Sequence, residues 1–223
     1  DYLLLSYLSQ LLGDLPTENY SVAELQTQID LHTGGINGGV IVFETVTGEL
    51  KPYFTLRGKA LEESFSKLVD LIHEIMTSTQ FTDNTELLNI TQRHISDFED
   101  DINHGAHVLA AARALSQVKP VSKLGEMING IDQFNFTKEI LEKLKVKDVT
   151  ELSEKLEAML NRLLNKQRIN ALYIGEASRL EEVTSALTTT FDSLSSEPLG
   201  EPVIYQAGEK MNEAFVTAQD VNY

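Results

Sequence analysis

Residues 34–59 read GGINGGVIVFETVTGELKPYFTLRGK, and this stretch decides the fold. Val40, Ile41, Val42 and Phe43 form a short apolar, largely β-branched run. It predicts a strand over 38–45 that is buried on both faces. Thr47-Gly48-Glu49 marks a turn. From Lys51 to Lys59, Tyr53, Thr55 and Arg57 alternate with Phe54 and Leu56, the period of a second strand. The pair reads as a β-hairpin.

Working outward, Ser21-Val22-Ala23-Glu24 is a capping box. It starts a helix that runs to about His32, where Gly34-Gly35 stops it. Residues 2–12 are dense in Leu and Tyr and predict a buried helix ending at Gly13, with Pro16 beyond. After the hairpin, Leu61, Phe65, Leu68, Ile72, Ile75 and Met76 lie on one helical stripe. Asp83-x-x-Glu86 caps a long helix to about Asn103, and Gly105 is expected to break it before an Ala-rich helix over 106–115. Shorter helices follow, punctuated by Pro120, Gly125 and Gly130. Asp148-x-x-Glu151 and Ser178-x-x-Glu181 open two more, the second ending near Leu194. Residues 169–174 predict a third strand, and Val203-Ile204-Tyr205 and Val221-Asn222-Tyr223 are weaker strand candidates. The class is α+β: helices on a small, mostly antiparallel sheet, with a helical insert between strands two and three.

The chain has 223 residues, 42% of them apolar, enough for a substantial core without cross-links. It has no Cys, which excludes a disulfide framework, a thiol nucleophile and Cys-based metal sites within it. Against 18 basic residues stand 34 acidic ones, a formal net charge of −16. That balance lacks the basic footprint of a nucleic-acid binder and disfavours anionic membranes. No apolar run is long enough to span a bilayer. The chain opens at Asp1, within a predicted helix, and ends on a predicted strand start. Both ends are expected to be internal to a larger polypeptide.

Motifs for chemistry are sparse. The five histidines include no His-Glu-x-x-His pair. His104 and His107 are three apart, a spacing that can share a metal, but Gly105 lies between them and no third ligand is evident beyond Asp100 and Asp101. There is no Gly-x-Ser-x-Gly elbow. The glycine cluster at 34–39 follows a helix and enters a strand, the reverse of a phosphate loop. Glycine there suits close backbone approach. An exposed edge at Gly34, Gly35, Ile36, Asn37 and Gly38 could accept an extended peptide by strand addition. The acidic pairs Glu62-Glu63, Asp100-Asp101 and Glu181-Glu182 read as solvated helix faces.

Several segments together resemble the presequence proteases, a subfamily of pitrilysin/insulinase-type zinc metallopeptidases. They are Leu3-Leu4-Leu5-Ser6-Tyr7-Leu8-Ser9-Gln10-Leu11-Leu12-Gly13, Thr17-Glu18-Asn19-Tyr20-Ser21, Glu24-Leu25 and residues 29–36. Gly105-Ala106-His107, Ala112-Arg113-Ala114, Lys123-Leu124-x-Glu126, Gly130-Ile131 and Val221-Asn222-Tyr223 are similar to the same subfamily. The resemblance spans nearly the whole chain and is most specific over its first 36 residues.

The resemblance implies a metallopeptidase-type α/β roll, one of four similar units in two bowl-like halves around a peptide-cutting chamber. Residues 1–223 resemble the third, non-catalytic unit. In the family's first unit an inverted His-x-x-Glu-His motif holds zinc. Counting from Thr17 and Tyr20, the matching positions here are Tyr7, Gln10 and Leu11. Tyr and Leu cannot replace two imidazoles and Gln cannot serve as a carboxylate base, so the resemblance implies a catalytically dead copy. No catalytic or metal-binding residue is expected in this chain, and zinc is expected in the parent enzyme's first domain. Expected partners are the other domains of the same polypeptide and, in the full-length enzyme, peptide substrates; nucleic acid and membrane are not. The expected compartment is the bacterial cytosol, with an organelle matrix as the alternative. The alternative function is a protease-derived scaffold or subunit acting only through protein–protein contacts.

Overall fold

The computed structural model describes residues 1–147, 149–198 and 204–215. Helix α1 (Tyr2–Leu11) lies at the centre of the core. Leu4, Tyr7, Leu8 and Leu11 are buried, and so are Ser6 and Ser9, so this helix has almost no solvent face. Its two serines are tolerated because each hydroxyl finds a carbonyl: Ser6 donates to Ile128 O at 2.6 Å and Ser9 to Ser6 O at 2.7 Å. The Asp1 side chain caps the first turn by accepting from the backbone N–H groups of Leu3 and Leu4.

Helix α2 (Val22–His32) begins at the expected capping box, with both reciprocal hydrogen bonds formed. Strands β1 (Ile36–Glu44) and β2 (Leu50–Gly58) pair antiparallel, in register from Ile36 opposite Gly58 to Glu44 opposite Leu50. The inner face of this hairpin carries Ile36, Gly38 and Val40 from β1 with Phe54 and Leu56 from β2. The other face is open: Asn37 and Phe43 are exposed, and the Phe43 ring lies 5.9 Å from that of Tyr53 beside it. The expectation of a strand buried on both faces is therefore corrected. An apolar run alone does not reveal how many faces find a partner.

Helix α3 (Phe65–Ser78) buries Leu68, Leu71 and Ile75 in the same core. Leu61, expected on its apolar stripe, precedes the helix and is exposed, which corrects that placement. Helix α4 (Asn84–Ser116) is capped by Asp83 and continues through Gly105, which takes a non-helical φ of −134°. The expected break is a kink. Helices α5 (Pro120–Asn129), α6 (Ile131–Lys145) and α7 (Thr150–Leu163) follow, then α8 (Leu180–Thr190). Leu87, Ile90, Ile140, Leu144, Leu152, Leu156 and Leu160 from this group close the core around α1.

The α+β class stands, with local corrections after α7. Residues 169–174 form no strand. Leu172 and Ile174 are 87% and 88% exposed, while Tyr173 leans on the Phe65 ring. A β-prone sequence forms a strand only when a ladder partner exists, and none lies beside it among the described residues. Ile204 and Tyr205 are likewise not in a strand. The expected cap at Asp148 and the strand candidates at Val203 and 221–223 lie outside the described residues. Helix α8 ends at Thr190, short of Leu194, and Ser178 makes no cap.

Candidate functional site

The fold brings the two residue groups of interest, the glycine-rich strand edge and the degenerate zinc-motif positions, together on β1 and α1. Gly38 sits over α1, where a Cβ would lie 2.3 Å from the carbonyl oxygen of Ser9. Only a residue without a side chain allows that backbone-to-backbone approach. Ahead of it, Gly34 N donates to Lys59 O at 2.7 Å and Gly35 N to Thr33 Oγ1 at 3.0 Å, which fixes the entry into β1. Ile36 is buried in the core, and Asn37, opposite Arg57, is exposed. Among the described residues β1 pairs only with β2.

Tyr7, Gln10 and Leu11 face inward rather than into a cleft. Tyr7 and Leu11 are fully buried. The Tyr7 hydroxyl lies 2.7 Å from Thr91 Oγ1. The single Thr91 proton goes to Leu87 O at 2.6 Å, so the Tyr7 O–H donates to Thr91. Burial pushes the Tyr7 phenol up to about 12, against the opposing pull of that bond. Gln10 Oε1 is buried without a hydrogen-bond partner among the described residues. These three positions do not fit a zinc ion. Leu11 has no donor atom, the Tyr7 oxygen is a neutral phenol already engaged, and Gln10 offers a lone amide oxygen. Among the described residues no group of three His, Asp or Glu side chains is gathered closely enough to hold a metal.

A second constellation is not among the expected site residues, although three of its members, Arg113, Lys123 and Glu126, lie in segments that carry the resemblance. Arg113, near the C-terminal end of α4, is buried. Its Nη1 donates to Glu126 Oε2 at 3.0 Å and to Asp132 Oδ1 at 2.6 Å. Its Nε and Nη2 donate to the two oxygens of Glu213 at 2.7 and 2.9 Å. Lys123 adds a bond to Asp132. Glu126 is almost wholly buried and also accepts from the Ile131 backbone N–H at 3.2 Å. Gly130 permits this, because a Cβ there would lie 2.7 Å from Glu126 Cα. Burial opposes the charge on Asp132, but Lys123 and Arg113 hold its carboxyl below the usual range. Arg113 holds Glu213 low in the same way. The one sequence signal for this network is an arginine inside an Ala-rich helical stretch.

On the surface, the acidic pairs are solvated as expected, and Arg179 bridges two of them by bonding Glu62 and Glu182. His104 Nδ1 lies 2.7 Å from Asp100 O, within its own helix. No helix among the described residues is long and apolar enough to cross a membrane.

Residues 1–140 match the family of domains associated with subfamily C of the M16 peptidases, and the chain belongs to it. It is similar to the protein HypA of Clostridium perfringens, at 26% identity over 219 residues, covering 97% of this chain and 22% of that protein. It is also similar to the mitochondrial presequence protease of Yarrowia lipolytica, at 23% identity over 199 residues, 87% of this chain and 20% of the relative. Presequence protease 1, chloroplastic/mitochondrial, of Arabidopsis thaliana is 24% identical over 223 residues, 99% of this chain and 20% of that protein. The presequence-protease resemblance read from the sequence therefore stands. The chain spans about a fifth of the length of these relatives.

Proposed function

We propose that residues 1–223 are one non-catalytic domain of a presequence-protease-like zinc metalloendopeptidase. In this reading the domain walls part of a closed chamber in which short unstructured peptides are degraded. Zinc and the reacting groups belong to another domain of the same polypeptide, in the bacterial cytosol or, alternatively, an organelle matrix. The observation that carries the reading is the use made of α1. The positions that match a zinc motif are spent on packing, with Tyr7 and Leu11 fully buried and the Tyr7 hydroxyl bound to Thr91. The family membership supports it.

Any direct role in peptide binding falls to the β1 edge over Gly34, Gly35, Ile36, Asn37 and Gly38. Gly38 seats that edge on α1, and Asn37 is its exposed side chain.

The test uses the full-length protein and a fluorogenic unstructured peptide. A chelator should abolish hydrolysis, while Gln10→Ala should leave kcat within about twofold of the parent. A loss of about a hundredfold or more in a folded Gln10→Ala variant would overturn the non-catalytic assignment. Asn37→Ala should raise KM with little change in kcat, and an unchanged KM would remove β1 from the peptide path. Absence of any zinc-dependent hydrolysis would favour the scaffold reading.

A further inference from the structure

The Arg113 network has an inner and an outer half. The inner half joins three helices: Arg113 on α4, Lys123 and Glu126 on α5, and Asp132 on α6. The outer half is the fork from Nε and Nη2 to Glu213. Glu213 belongs to residues 204–215, which have no helix or strand. That segment lies across α1, α4 and the residues after it. Tyr205 and Tyr2 share a hydroxyl contact of 2.5 Å, Gly208 N donates to Ser116 O at 2.8 Å, and Met211 N donates to Gln117 Oε1 at 3.1 Å. Glu213 supplies its ion pair.

Burial distinguishes the two halves. The network gathers two cations, Arg113 and Lys123, and three carboxylates, Glu126, Asp132 and Glu213. Removing Arg113 would leave Glu126, 1% exposed, without its cation, which is strongly unfavourable. Glu213 is different. Its side chain is the most exposed of the three carboxylates, at 29% against 22% for Asp132 and 1% for Glu126, and it alone comes from outside the helices. Arg113 would still be held by Glu126 and Asp132.

We propose that the Arg113–Glu213 fork is a releasable latch, and that 204–213 is a strap that lifts from the α4–α5 elbow while the helices beneath stay folded. Lifting the strap frees the outer edge of Arg113, a pre-oriented fork for a carboxylate. The inner carboxylates set the plane of the guanidinium in advance, so the strap re-docks without reorganising the core.

Hydrogen exchange by mass spectrometry on the full-length protein tests this. Glu213→Gln should speed exchange of the hydrogen-bonded strap amides of Gly208 and Met211 by about tenfold or more, the scale of one lost charge-assisted bond. Exchange in α4, α5 and α6 should change by less than about twofold. Arg113→Lys keeps the charge but loses the fork, and it should free the strap in the same way. Unchanged strap exchange in both variants would overturn the latch. So would a rise in Glu213→Gln that spreads equally through α4–α6, which would make Glu213 part of the helical core. Glu126→Gln provides the contrast, because it loosens the α4–α5–α6 junction and should raise exchange in α5 and α6 while Arg113 keeps its fork to Glu213.

Discussion

Gly38 and Ser9 are packed so closely that a Cβ on the glycine would lie 2.3 Å from the serine carbonyl oxygen. The atom in the way is backbone of the central helix, which cannot swing aside as a side chain would. Gly38→Ala should therefore push β1 off α1 and cost about 1–3 kcal/mol or more. Urea unfolding monitored by circular dichroism should show the lower midpoint.

Tyr7→Phe removes one donor but leaves Thr91 still bonded to Leu87 O. The expected cost is about 0.5–1.5 kcal/mol, the ordinary net value of such a bond. Tyr7→Ala also opens a cavity beside Leu8 and Leu11 and should cost about 3–5 kcal/mol, by analogy with aromatic truncations in other cores. Thermal unfolding of the two variants separates the hydroxyl from the ring.

Arg113→Met should be among the most damaging single changes, at about 3–5 kcal/mol. It leaves Glu126, almost wholly buried, without its cation. Pairing it with Glu126→Met should recover part of that loss, because the uncompensated charge then disappears. A double-mutant cycle in denaturant measures the coupling.

His94 gives a pH prediction. It is half-buried, and Nδ1 has no hydrogen-bond partner among the described residues. Burial first, then neighbouring Arg93, lowers its pKa, with Asp14 and Asp97 opposing. The unfolded chain therefore binds the proton more readily than the folded one. Stability should be fully present above the unfolded value of about 6.5 and be lost as pH falls from there through the lower folded value. A further loss should follow at lower pH, as the lowered carboxyls of Asp132, Glu213 and Glu74 take up protons. His94→Gln should flatten the first phase and leave the second. Chemical denaturation midpoints between pH 7 and pH 3 check both.

The parts of the fold legible in the sequence are those governed by near neighbours. The Ser21–Glu24 box, the Asp83 cap and the turn at 47–49 each depend on residues within about a helical turn of one another. Gly105 marks the right place on α4 but the wrong event, a kink instead of a break, since neighbouring turns can carry a helix across one non-helical residue. The segment 169–174 misleads for the opposite reason. Its β-branched and aromatic residues suit a strand, but strand formation needs a partner that composition does not supply.

The candidate site divides along the same line. The sequence by itself determined that positions 7, 10 and 11 carry Tyr, Gln and Leu, a set without imidazole or carboxylate, because ligand chemistry belongs to the side chain. It also determined the family, through residues spread over the first 140 positions. Only the tertiary structure decided that Gly38 rests on Ser9, that Tyr7 gives its proton to Thr91, and that Glu213 reaches Arg113 across 100 positions. Those contacts follow from how helices and a hairpin close around α1. Long-range packing of this kind is set by the whole core at once, and no local window of sequence contains it.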